Sequence, residues 1–371
     1  MSEEYQRLQD AARDVEREIV DLEQNHSVNS AAELAALERR LDLLAVKRSS
    51  LTKAMILLRS VNNPQFQQKQ KEFVRQLPHK YHSQGPRRKV VHLPGGVNLT
   101  LNINYYHRQK GQAKASQKPD RGLYPALMLL SISNGLTPHV RRRMAKASAL
   151  LGSYEEAAEM LSDDGIIVSV NKLREVCGRI GRKLVQMTSS GSMQVEGNVK
   201  ERRIVVSRDG GRVRLREPRK GRTKKGRKKF AANWREPRLF IIYAVDENGR
   251  MTIQKRRLLN GEIGSVVIAL ETLLKGRKSK NQTTWLNYFR THGLIHRRMD
   301  YSSSRSQQMP IGSGAIESAV RRVINLRVKS NSTYWLREHA ETMIRLRAWI
   351  KAGRAEELFR QTTYTTSDLV A

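Results

Sequence analysis

Apolar side chains at Tyr5, Leu8, Ala12, Val15, Ile19 and Leu22 recur at alternating steps of three and four. That spacing draws a narrow helical seam of the coiled-coil kind. The turn formers of "QNHSVNS" (24–30) interrupt it. A second seam follows at Leu34, Leu37, Leu41, Leu44, Leu51, Met55 and Leu58, with Arg48 in one slot. Two such helices joined by a short polar loop predict an antiparallel helical hairpin over 1–60. Its seam serves either as a dimerisation arm or as a surface packed within one chain, and the pattern fits both.

Past Asn62 the period shortens. Val97, Leu99, Leu101, Ile103 and Tyr105 alternate with polar residues, which predicts a strand and a small antiparallel unit, with Pro94-Gly95-Gly96 as the turn before it. "GQAKASQKPDRG" (111–122) reads as a basic loop. Residues 123–187 return to helical spacing. In "GSYEEAAEMLSDDGIIVSVNKLREV", Ser153 and Glu156 form a capping box, Gly165 ends the first helix and Ser169 caps the next. Helix, glycine turn, helix is the helix-turn-helix pattern. The second helix carries Lys172, Arg174, Arg179, Arg182 and Lys183, as suits a DNA groove, although an ordinary helical pair with a basic solvent face has the same residues.

Residues 200–259 predict three strands, in "RRIVVSRDGGRVRLRE", "PRLFIIYAVDENGR" and "MTIQKRRLL". Asp209-Gly210 is either a two-residue hairpin turn or the end of a strand bearing a metal-binding carboxylate. Residues 211–230 are so rich in Lys and Arg that they predict a loop unable to fold compactly without an anion. From 263 onward the spacing predicts amphipathic helix, followed by the loop "DYSSSRSQQMP". His292 and His296 stand four apart but have no third ligand nearby, which favours surface or stacking roles. Near the C-terminus Ser313 caps a helix burying Ile316, Val320 and Val323. Glu317 and Arg321 sit one turn apart on it, the spacing of an ion pair. A last helix starts near Thr333.

Charge changes this picture. Lys and Arg outnumber Asp and Glu by 69 to 35 over 371 residues, for a net charge of +34. Residues 1–60 are close to neutral, so the excess lies beyond them. Such an imbalance implies a polyanionic partner. The sole cysteine, Cys177, excludes an internal disulfide and any cysteine-rich zinc site, and reads as a small buried residue. No apolar run is long enough to span a bilayer, and the first residues are unlike a secretory signal. These features predict a cytoplasmic protein facing nucleic acid. Aromatic residues are few, which argues against stacking on single strands.

Taken in order, "VVSRDGGRVRLRE", "WREPRLFIIYAVDENGR", "IGSGAIESAVRRVINLRVKS" and "YWLREHAETMIRLRAWIKAG" resemble bacterial insertion-sequence transposases of the ISKra type. "GSYEEAAEMLSDDGIIVS" is similar to their helix-turn-helix region. The resemblance implies DDE chemistry on an RNase H-like fold: two Asp and one Glu hold two Mg2+ (or Mn2+) ions for phosphodiester cleavage and strand transfer. Asp209 matches the first ligand and Glu317 the last. The second aspartate has no clear match. Asp246 lies in a turn, and Asp300 is a weak candidate in "HRRMDYSSS". The stretch around "LLNGEIGSVVIALETLL" reads as an internal deletion.

The implied partners are double-stranded DNA and, through 1–60, a second copy of the chain, in the bacterial nucleoid and away from membranes. DNA contacts are expected from Lys172, Arg174, Arg179, Arg212, Arg214, Lys224, Lys225, Arg321, Arg322, Arg327 and Lys329. The expected fold is a multi-domain α+β or α/β protein. It comprises the helical hairpin (1–60), a small β unit and basic loop (61–122), a helical DNA-binding region (123–190), an RNase H-like core (200–355) truncated near 260–300, and a tail (356–371). The alternative is a non-enzymatic DNA-binding protein of the same descent.

Overall fold

The computed structural model describes residues 2–108, 122–193, 203–223, 226–248, 305–310, 312–329 and 333–363, together with the backbone of 267–270. They form a mixed α+β protein that divides into two compact units. The first comprises 1–148, 153–176 and 359–371, and the second 149–152 and 177–358.

In the first unit, α1 (Glu3–Asn25) and α2 (Ala31–Asn62) pack on each other as the predicted hairpin. Ser2 and Ser30 accept hydrogen bonds from the backbone N–H groups of Tyr5 and Glu33 and so start the two helices. Leu8, Ala12 and Val15 of α1 and Leu44, Leu51, Ala54 and Leu58 of α2 are buried, the leucines and the valine contributing about 1.5–3 kcal/mol apiece. Much of the seam is thus filled within the chain, while Val20, Leu34 and Leu41 remain exposed.

Helix α3 (Pro64–Arg75) leads to the hairpin of β1 (Tyr81–His92) and β2 (Asn98–Arg108), with Val91 opposite Leu99. Gly95 and Gly96 both adopt φ near +70° in the predicted turn. Val97, Leu99, Leu101 and Ile103 form the buried row and join the core of α1 and α2. Helices α4 (Pro125–Leu129), α5 (Pro138–Leu150) and α6 (Tyr154–Asp163) follow. The Ser153 hydroxyl accepts from Glu156 N at 2.9 Å and the Ser169 hydroxyl from Lys172 N at 3.2 Å. Gly165 turns between them at φ +71°, as the sequence predicts.

Helix α7 (Val170–Ser189) continues into the second unit. A Cβ on Gly181 would overlap the side chain of Thr342, so the glycine permits close helix packing there. The three strands expected between 200 and 259 are in fact four up to Val245: β3 (Arg203–Gly210), β4 (Val213–Arg222), β5 (Lys228–Arg235) and β6 (Arg238–Val245). Asp209-Gly210 is not a hairpin turn, because β3 pairs with β6 and β4 with β5. The register runs unbroken from Arg203 opposite Val245, through Gly210 opposite Arg238, to Val213 opposite Arg235. Gly211 N donates to Pro237 O at 3.2 Å across the gap. The four strands are therefore one long hairpin, and the basic stretch expected to be a loop is its outer half.

Two further expectations are corrected. Val267–Leu270, expected to be helical, forms β7 beside β6, with Leu270 opposite Leu239. A short β-branched run meets an apolar strand edge, and pairing overrides helical spacing. The helix expected from Thr333 begins at Arg337 (α9, Arg337–Lys351), because Trp335 first bridges to β4. Before it lie α8 (Gly314–Val320) and a π-helical turn, Arg321–Asn325. α10 (Ala355–Thr363) closes the described chain. The third strand expected at 251–259, the basic loop at 111–121, and His292 and His296 lie outside the described residues.

Candidate nucleic-acid interface

Cross-strand partners in an antiparallel pair share a face, so Val205, Ser207 and Asp209 stand on the same side of the sheet as Tyr243, Ile241 and Leu239. Those three β6 residues are buried, whereas Val206 on the opposite side is 61% exposed. Asp209 therefore ends the row on the covered side. Helix α8 packs against β3 and β6 through a buried face of Ile316, Ala319 and Val320. Glu317 is exposed on that helix and accepts a hydrogen bond from the Ser313 hydroxyl. Ser313 thus serves Glu317, and the side-chain cap expected of it is not made.

Among the described residues neither carboxylate has an ion pair. The spacing of Glu317 and Arg321 suggests one, but the chain goes from α-helical to π-helical geometry at Arg321 and the pair is not made. Among the described residues Asp209 accepts only from Gly210 N, at 2.7 Å. In a chain of net +34, two carboxylates without a cationic partner among the described residues are a chemical feature. Each is a hard oxygen donor of the kind that ligates Mg2+ or Mn2+. Among the described residues no group of three His, Cys, Asp or Glu side chains gathers to hold a metal. Asp246 Oδ1 accepts from Asn248 N at 3.0 Å, as a turn former does. Asp300, the weak second-aspartate candidate, lies outside the described residues.

The expected DNA contacts fall into three groups. Arg212, Arg216, Arg219, Lys220, Arg222, Arg227, Lys228 and Lys229 are all exposed along β4, β5 and their flanks. Arg212 among them is a predicted contact. So is Arg214, which is half-buried between Trp234 and Tyr334, its guanidinium carbon 5.6 and 4.7 Å from their ring centres. Lys224 and Lys225 lie outside the described residues. Within the tip, Thr223 N donates to Arg227 O at 2.7 Å, and Gly226 adopts φ +73°. A two-stranded ribbon of this kind fits a DNA major groove.

The second group is on α7. Arg174 and Arg179 are exposed and Lys172 half-buried. Lys172 is 3.2 Å from Glu175, and Arg174 is 3.8 Å from Glu155 and stacks on Tyr154. Arg182 is exposed but pairs with Glu338 at 3.2 Å, and Lys183 is buried, so Lys183 does not join the basic face expected of it.

The third group is C-terminal. Arg321, Arg322 and Lys329 are exposed. Arg327 is not: it is 8% exposed, donates to Gly152 O at 2.8 Å and lies over Trp335. Its guanidinium is occupied in the interior, which removes it from the expected contacts.

Sequence reasoning missed Arg347. It is 1% exposed and donates to the carbonyls of Val323, Arg322 and Ala149. Burial first, and then neighbouring Arg327, push its pKa down to about 10, which leaves it charged at neutral pH. Two of its acceptors belong to the π-helical turn, where the regular helical hydrogen bonding is broken. Cys177 is buried, as expected of a small apolar residue. No helix among the described residues is long and apolar enough to cross a membrane. The chain matches no protein-family model and no curated protein sequence.

Proposed function

We propose that the chain is a DNA transposase of the insertion-sequence kind its motifs resemble, cutting phosphodiester bonds at element ends and joining them to target DNA. One observation carries the reading. The arginine-rich ribbon and the strand bearing Asp209 are a single in-register hairpin, and the helix bearing Glu317 packs on the same strands. An arm suited to phosphates is thereby built continuous with a carboxylate that has no ion pair among the described residues. The antiparallel order β3–β6–β7 is in keeping with an RNase H-like core.

In this reading Arg212, Arg214 and Arg216 neutralise backbone phosphates and fix the duplex in register, and Arg321, Arg322 and Lys329 do so beside α8. Asp209 and Glu317 would hold a divalent cation, which would supply Lewis acidity at the scissile phosphate. The Ser313 hydroxyl orients the Glu317 carboxylate through its hydrogen bond. The turn-bound Asp246 favours a second reading, in which the chain binds DNA of the same kind without cutting it.

Cleavage of duplex DNA bearing candidate terminal repeats, measured with Mg2+ or Mn2+, separates the two. The enzyme reading predicts products that vanish in Asp209→Asn and Glu317→Gln while binding persists. Binding without cleavage in the unaltered chain selects the second reading. Absence of salt-sensitive duplex binding overturns both.

A further inference from the structure

The outer hairpin presents a second kind of surface. In its register Arg214 faces Trp234, Arg216 faces Ala232 and Pro218 faces Phe230, so these six side chains share one side. The other side carries Val213 and Leu215, both buried, and Glu217, which binds Asn233 and Arg235. The first side is the open one: Trp234 is 45% exposed and Phe230 43%.

A third aromatic arrives from more than a hundred residues away. Trp335 N donates to Arg214 O at 3.0 Å and Arg216 N to Trp335 O at 2.8 Å, adding a short parallel segment to the free edge of β4. That segment sets Tyr334, 40% exposed, against Phe230, with ring centres 5.6 Å apart. Arg216 lies over Phe230 at 5.1 Å. Large exposed aromatics are costly to leave in water. Here three of them lie beside the guanidinium groups of Arg214 and Arg216 on one side of the ribbon.

We propose that this face binds unpaired DNA bases, stacking them on Phe230, Trp234 and Tyr334 while Arg214 and Arg216 meet the flanking phosphates; the proposal rests on the DNA-handling reading above. Every base has a π face and every linking phosphate a charge, so rings beside guanidiniums match the chemistry of a single strand. A paired duplex keeps its bases stacked on one another and offers the rings nothing. The ribbon thus carries two functions: its charged tip suits phosphates of any DNA, and its aromatic side selects strands whose bases are open.

The test compares a blunt duplex with the same duplex carrying a single-stranded 3′ extension that contains 2-aminopurine. The unaltered chain is expected to bind the extended DNA about tenfold more tightly and to quench the 2-aminopurine. The double variant Phe230→Ala/Trp234→Ala should lose both the preference and the quenching while keeping its blunt-duplex affinity. Trp234→Phe, which preserves a ring, should retain both. If the unaltered chain binds blunt duplex but shows no preference, or the double variant keeps it, the stacking face is refuted while DNA handling stands. If neither DNA binds, the underlying reading fails. Tighter capture of a single-stranded RNA of the same length overturns the assignment to DNA.

Discussion

The hairpin from β4 to β5 and the helices from α8 to α10 are both rich in arginine, yet they use it in opposite ways. In the helical region Arg347 is surrounded by three carbonyls, Arg327 is buried over Trp335, and Arg354 forms a 2.6 Å ion pair with Glu357 in which both side chains are 3% exposed. On the hairpin Arg212, Arg216, Arg219, Arg222 and Arg227 face water, and Glu217 is the sole acid among its described residues. Buried guanidiniums satisfy backbone oxygens that helix breaks leave behind, whereas exposed ones hold charge that an outside anion can neutralise. Helix α7 falls between the two, because Glu175, Glu155 and Glu338 already engage Lys172, Arg174 and Arg182. The net charge of a segment is thus a poor guide to its partner until its acids have been located.

The sharpest break between the two regions should come from Arg347→Met. It removes a buried cation that three carbonyls accept from, and stranding them should cost about 3 kcal/mol or more, read as a lower urea midpoint. Arg216→Gln should leave that midpoint within about 0.5 kcal/mol. A small loss for Arg347→Met would show that the π-helical turn holds without it.

Next in size, glutamine at Arg216, Arg219, Lys220 and Arg222 together should flatten the slope of log affinity against log salt by about 3–4, with roughly a hundredfold loss of duplex binding near physiological salt. The α7 double variant Lys172→Gln/Arg174→Gln should lose only about threefold, since its cations are already partly neutralised. Equal losses would erase the distinction between ribbon and helix.

The smallest effect concerns pH. Arg235 first, then Asn233, hold the Glu217 carboxyl below its usual value of 4.5. A carboxyl whose folded pKa is depressed adds stability above its unfolded pKa and loses it as pH falls through the folded one. The unaltered chain should therefore lose a little stability on acidification below pH 4.5 that Glu217→Gln does not, the effect being small because the group is largely exposed to solvent.

Legibility in the sequence followed the range of the forces involved. The α1–α2 hairpin, the β1–β2 turn at Gly95-Gly96 and the caps at Ser153 and Ser169 are local patterns, and each stands where its residues imply. The outer hairpin was not legible, because the Lys and Arg clustered between Arg219 and Lys229 conceal the alternation of faces. Its pairing is fixed from a distance, by apolar β6 holding β3 in register. Val267–Leu270 is too short for spacing to separate strand from helix. Asp209 and Glu317 could be singled out from their motifs. The aromatic face could not, since Tyr334 reaches it through a bridge to β4 that no neighbouring residue announces. Arg327 and Arg347 looked like ordinary surface cations, and only packing distinguishes them.

The unbroken pairing across Gly211 and Pro237 constrains how this molecule can change. From Val213 to Pro218 side chains alternate against Arg235 to Phe230, ahead of a register shift between Pro218 and Arg222. Losing one residue from this stretch would slide the strands and turn rings and buried apolar side chains to opposite faces. Lineages of this chain should lengthen or shorten the arm only in matched pairs taken from both strands. Its reach is free to vary, but its handedness of presentation is locked.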